Sequence, residues 1–180
     1  MISSRSRLLV LAVLIGLTGC EHVGVFEPFR EVECLERAQV SLKGAVTAAE
    51  ATGGKALDAD YRQDEEMGCL LGNPGFYDVT LLSDGRIGVV SVDARSGNVG
   101  LHQEASVMNL LLGGGGHFEG SPADMARMIP RITMSRAIDV AEQQGGKALS
   151  AWIETNAGEQ GFTVKVVENG RVRVTWVNGS

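Results

Sequence analysis

Basic residues are in short supply in this chain of 180: 16 Lys and Arg stand against 22 Asp and Glu, a formal net charge of −6. A chain of that sign suits neither a nucleic-acid backbone nor anionic lipid headgroups. Cysteine is scarce, with three residues, and the three histidines, His22, His102 and His117, share no ligand spacing. No Cys/His cluster of the structural-zinc kind can be written from them, and no metal is expected. Asp58, Asp60, Asp64, Glu65 and Glu66 form an acidic stretch, but without the Asp-x-Asp-x-Asp-Gly pattern and distal glutamate of a calcium loop. They read as a solvated strand edge and loop. No serine sits in a nucleophile elbow, and Gly113 to Gly116 run into His117 without the Gly-Lys-Ser/Thr of a phosphate loop. The expectation is a chain with no catalytic residues and no cofactor, and not an enzyme. Its two tryptophans, Trp152 and Trp176, read as core or sheet-face side chains.

What is present begins with an address. Arg5 and Arg7 precede an apolar run from Leu8 to Leu17, and Leu17-Thr18-Gly19-Cys20 closes it. The run is shorter than the roughly 20 apolar residues that span a bilayer. Small residues before a cysteine at the end of such a run resemble a bacterial lipobox. That resemblance implies removal of residues 1–19 and acylation of the Cys20 thiol and its new amino group. Several acyl chains hold firmly, since each buried methylene contributes about 0.8 kcal/mol. Glu21, where an aspartate would suggest retention at the inner membrane, favours the outer membrane. Residues 20–30 then form a tether. Loss of Arg5 and Arg7 leaves 14 basic against 22 acidic residues, about −8.

The segment Gly53-Gly54-Lys55-Ala56-Leu57 recurs as Gly145-Gly146-Lys147-Ala148-Leu149, and residues 41 to 61 match 133 to 153 at nine of 21 positions. Leu42, Ala45, Val46 and Ala49 fall at helical spacing, as do Met134, Ala137, Ile138 and Ala141. Ser41 and Thr133 stand where an N-cap oxygen is wanted, and each Gly-Gly pair ends its helix before a strand. Tyr77 to Val89 then matches Phe162 to Val174, at a spacing of 85, around Asp84-Gly85 and Asn169-Gly170. Both dipeptides are hairpin signals. Pro28 and Pro122 each open a shorter helix ahead of the main one. The units are expected to touch, sheet beside sheet or helix against sheet, because one helix on three strands buries little.

Hairpin register is set here by the wish to gather apolar residues. A three-residue loop, Glu168-Asn169-Gly170, pairs Val166 with Val172, Val164 with Val174 and Phe162 with Trp176. Lys165, Arg171 and Arg173 then share the outward face as a possible partner-binding patch. The same choice groups Tyr77, Val79, Leu81, Ile87 and Val89. A one-residue slip would turn every side chain over, so the buried face should decide.

The helix opening at Ser/Thr, the Ala-Glu near its end, Gly-Gly-Lys, a strand, an aromatic-led hairpin and Val92-Asp93-Ala94-Arg95-Ser96-Gly97 together resemble the PepSY domain. The second unit closes with Val177-Asn178-Gly179, a truncated and diverged version. The resemblance implies an α+β fold, a tandem repeat of a helix packed on a three-stranded antiparallel sheet. Unit one covers 31–100, a Gly-rich linker 101–121, and unit two 122–180. PepSY domains occur in propeptides of secreted metallopeptidases and in bacterial envelope proteins, which implies a binding or regulatory module that supplies no catalytic residues. The expectation is a lipid-anchored module on the periplasmic face that engages a protein partner, a peptidase being the class implied. The alternative is a structural envelope lipoprotein with no peptidase target. In an oxidising envelope, Cys34 and Cys69 are a disulfide candidate. That bridge would close about 35 residues and add about 3 to 4 kcal/mol in the chain-entropy account.

Overall fold

Seven antiparallel strands form one sheet, and both repeat units belong to it. The computed structural model describes residues 27–63, 72–104, 127 and 129–180. Cys20, Cys69, the acidic residues 64–66, the helix expected at Pro122 and most of the glycine-rich segment lie outside that set. In chain order come α1 (Glu27–Arg37), α2 (Leu42–Glu50), β1 (Lys55–Arg62), β2 (Phe76–Ser83), β3 (Arg86–Asp93) and β4 (Val99–Glu104). Then follow α3 (Met134–Glu142), β5 (Lys147–Asn156), β6 (Glu159–Glu168) and β7 (Arg171–Asn178). The strand order is β4-β3-β2-β1-β5-β6-β7. The fold is therefore α+β, but with a single seven-stranded sheet in place of two separate three-stranded ones. β4 begins inside unit one and runs into the stretch expected to be linker.

The repeat survives within this sheet. β1 and β5 meet at its centre, pairing Asp58 with Trp152, Ala59 with Ala151 and Asp60 with Ser150. Ala59 and Ala151 are equivalent residues, so a pseudo-twofold axis passes between them. Each strand carries a register shift at the same place, between Ala56 and Asp58 and between Ala148 and Ser150. Sheet beside sheet is thus the way the units join.

Local structure follows the sequence closely in the helices. Ser41 Oγ accepts from the Gly44 amide and Thr133 Oγ1 from the Arg136 amide, capping α2 and α3. Such a cap is worth about 1 kcal/mol. Leu42, Ala45, Val46 and Ala49 are buried, and so are Met134, Ala137, Ile138 and Ala141. Both helices lie on one face of the sheet and share one core with Tyr61, Tyr77, Val79, Phe162, Val164 and α1 residues Cys34 and Leu35. The glycine pairs are needed for more than stopping a helix. Gly54 has φ 113° and Gly146 φ 92°. A Cβ there would sit 2.8 Å from the Leu82 carbonyl oxygen and 2.6 Å from that of Val167.

The repeated Ala-Glu acquires a reason. Glu50 Oε1 accepts from the Ala56 amide at 3.0 Å, and Glu142 Oε1 from the Ala148 amide at 2.8 Å. Each carboxylate satisfies an amide at the strand irregularity, where the ladder offers it no partner.

The expected hairpin register is overturned. Glu168 pairs with Arg171, Val167 with Val172, Val166 with Arg173 and Val164 with Thr175, around a two-residue Asn169-Gly170 loop. In unit one, Ser83 pairs with Arg86 and Val79 with Val90. Asp84 (φ 49°), Gly85 (φ 73°), Asn169 (φ 51°) and Gly170 (φ 72°) all take left-handed backbone. Two successive positive φ values make a type I′ turn, whose twist matches the strands, and Asp-Gly and Asn-Gly favour it. Turn chemistry outweighs the apolar grouping. The helix side of β3 is then Gly88, Val90 and Val92, with Ile87 and Val89 on the second face.

Unit two is also less truncated than its sequence suggests. The Gly179 carbonyl accepts from the Arg131 amide, and the Gly179 amide donates to Gln160. In unit one the Ala94 carbonyl accepts from the Gln39 and Val40 amides, and the Ala94 amide donates to Gly75. Gly179 does for unit two what Ala94 does for unit one.

Candidate functional site

The charged patch expected on unit two does not assemble. Because Val166 pairs with Arg173 and Lys165 with Val174, Arg173 and Lys165 lie on opposite faces. Arg171 shares the helix side with Arg173, two residues along the strand. Arg173 turns inward: its guanidinium donates to the Ala141 carbonyl at 3.1 Å and the Gly145 carbonyl at 3.0 Å. Ala141 belongs to the last turn of α3, whose carbonyls lack helical donors and carry the negative end of the helix dipole, and Gly145 to the turn that follows. A cation predicted to face a partner is therefore a helix cap. The signal was present in the Asn-Gly dipeptide, which fixes the face once its two-residue loop is accepted.

What β7 does present is apolar. Val172 is 50% exposed and Val174 59% exposed, both on the face opposite the helices. Beside them, Lys165 Nζ lies 5.2 Å from the centre of the Trp152 ring, a cation–π distance. Trp176 is half-buried on the same face, with its indole nitrogen shielded and without a hydrogen-bond partner. Its ring covers Gly161, where a Cβ would come within 3.0 Å of it. Thr163 Oγ1 donates to the Glu154 carboxylate beneath them. The patch thus combines aliphatic, aromatic and cationic groups.

Elsewhere, Tyr77, Asp93 and Lys147 play structural parts. Tyr77 donates to the Val40 carbonyl at 2.7 Å, and its hydroxyl is pushed well above its ordinary value by burial first and by Tyr61 second. Asp93 is held low by the Ser96 amide, chiefly, within the turn after β3. Lys147 donates to the carbonyls of Leu35 at 2.9 Å and Ala38 at 3.0 Å, tying the end of α1 to the start of unit two. Burial lowers its pKa, opposed by the carboxylates of Glu142 and Glu36. A shallow groove of about 330 Å³ opens there between Val32, Leu35, Lys147 and Val167. Among the described residues, no three His, Cys, Asp or Glu side chains gather as a metal site. Asp58 is buried at 3% exposure, so it is no solvated edge residue. Cys34 is buried at 1% exposure on α1, and its expected partner Cys69 lies outside the described residues. No described helix is long and apolar enough to cross a membrane.

No family model matches this chain, and no curated protein matches it. Among solved structures, it is similar to a presumed lipoprotein of Clostridium difficile 630, at 12% identity and a TM-score of 0.38. That alignment covers 79% of this chain and 88% of the other. A likeness at that score carries no argument about fold or activity.

Proposed function

We propose that this chain is a lipid-anchored, non-enzymatic binding module of the bacterial envelope. It comprises two PepSY-like units and regulates a protein partner, with a secreted peptidase the first class to test. The observation that carries the binding role is the exposed apolar strip of β7, Val172 and Val174, beside the Lys165–Trp152 pair on the helix-free side of unit two. Exposed aliphatic and aromatic groups with a single cation suit a protein surface better than a small polar substrate. The anchor rests on Cys20 and the charged and apolar run before it, and outer-membrane placement on Glu21. The Cys34–Cys69 bridge belongs to the same oxidising compartment.

The test uses the lipidated chain as bait in solubilised envelope, beside a Lys165→Glu/Val172→Glu variant. Recovery of a peptidase by the wild type and its loss from the variant support the reading. Equal recovery by both removes the binding surface, and recovery of wall-assembly components alone supports the structural lipoprotein. In the same cells, Cys20→Ser should take up no labelled fatty acid. Uptake by that variant would sink the anchor.

A further inference from the structure

We infer that β7 pairs with β7 of a second copy of this chain, joining two seven-stranded sheets edge to edge about a twofold axis at Val174. The inference rests on the edge strand and does not depend on the envelope partner.

Three features leave this edge ready for pairing. β7 is eight residues long, pairs along its whole length with β6 without a register shift, and contains no proline. Bulges and prolines, the usual protections of an edge, are absent from β7; Arg173 is folded back onto α3, and Arg171, beside the turn, is its exposed cation. Residues flanking a two-residue hairpin loop form a hydrogen-bonded pair, and such pairs alternate along an antiparallel ladder. Arg171, Arg173, Thr175 and Val177 therefore direct their amides and carbonyls to β6. Those of Val172, Val174, Trp176 and Asn178 point to the side that no described strand covers.

The sequence of β7 selects both the partner and the register. In a twofold pair, residues on the same face must meet, which leaves few choices. Centring on Arg173 sets that residue against its own twin, a like-charge contact that is destabilising. Centring on Thr175 sets Val172 against Asn178. Centring on Val174 instead pairs Val174 with itself, Val172 with Trp176 in both directions, and Arg173 with Thr175. Every cross-strand pair from 172 to 176 on the second face is then apolar, and no two cations oppose. It also makes Val174 one of the hydrogen-bonded pairs, as its outward amide requires. A head-to-tail contact of β7 with β4 of another copy would leave a further edge free and grow without closing, whereas the twofold contact closes.

Native mass spectrometry of the full chain in detergent should give two chains for the wild type. Val174→Pro removes only an outward-pointing amide, so it should halve that mass while the far-ultraviolet circular dichroism keeps its β signal. Val174→Cys, which needs no change of backbone, should form a disulfide-linked dimer in the envelope well above the level given by Thr155→Cys, an exposed site away from the edge. A wild type found only as one chain overturns the inference. So does a Val174→Pro dimer, a Val174→Cys variant that cross-links no better than Thr155→Cys, or one that cross-links only to a different protein.

Discussion

The two units of this sheet are built from the same plan and spend equivalent positions differently. Lys55 and Lys147 follow the same Gly-Gly, yet Lys55 is exposed while Lys147 holds two carbonyls of α1. Gly88 of unit one corresponds to Arg173 of unit two. The first lies opposite Leu81, without a side chain; the second reaches the end of α3. β3 is covered at its outer side by β4, but β7 is not covered by a described strand. Positions that set the backbone, the caps, the glycine pairs, the bulge glutamates and the I′ turns, are held in common. Positions facing a neighbour have diverged with the neighbour.

The largest test of that comparison is in the core. Tyr77 and Phe162 are equivalent and almost fully buried. Tyr77→Ala and Phe162→Ala should each lower stability by about 3 to 5 kcal/mol in urea titrations. Because one sheet and one core unite the units, each variant should still unfold in a single transition. Two separated transitions would mean that the units fold independently and that the β1–β5 seam is weak.

Next in size are the glutamates. Glu50→Ala and Glu142→Ala each strand a part-buried amide, and hydrogen bonds to charged groups are worth about 1.5 to 3 kcal/mol. If the repeat is as symmetric as the geometry, the two losses should be alike in size. Glutamine should restore part of each. A loss at one site alone would break the equivalence.

The smallest effect separates the lysines. Lys147 has a folded pKa below its ordinary 10.5, chiefly through burial. Between the two values the unfolded chain binds more protons, so stability rises with pH as that window is crossed toward 10.5. Lys147→Met should flatten this rise and speed amide exchange in α1, whereas Lys55→Met should change neither. An unchanged slope in Lys147→Met would show that the charge is well solvated.

Much of this was legible in the sequence because helix periodicity, caps and glycine stops are local. Ser41, Thr133 and both buried helix faces stand where spacing puts them. Hairpin register follows the turn and not the apolar grouping, because β7 sits at an edge where burial constrains it little. With register went the sidedness of Lys165, Arg171 and Arg173, and so the nature of the exposed surface. The role of Glu50 and Glu142 depends on a bulge that no periodicity announces. β4 is hidden in the sequence because Val99 to Glu104 mixes glycine, histidine and charge across the expected boundary between unit one and the linker.

The axis between Ala59 and Ala151 bears on how freely the seam can vary. Two identical single-unit chains could pair their first strands in this same register, since each contact across the axis is matched by its own mirror in sequence: Asp58 with Trp152, Ser150 with Asp60. In such a self-paired ancestor every substitution at the seam would be felt twice, and an acidic residue could not change on one side alone. Joining the two copies in one chain lifts that constraint. Asp58 and Asp60 stand on one side of the seam and Trp152 and Ser150 on the other, so either half can change without its mirror.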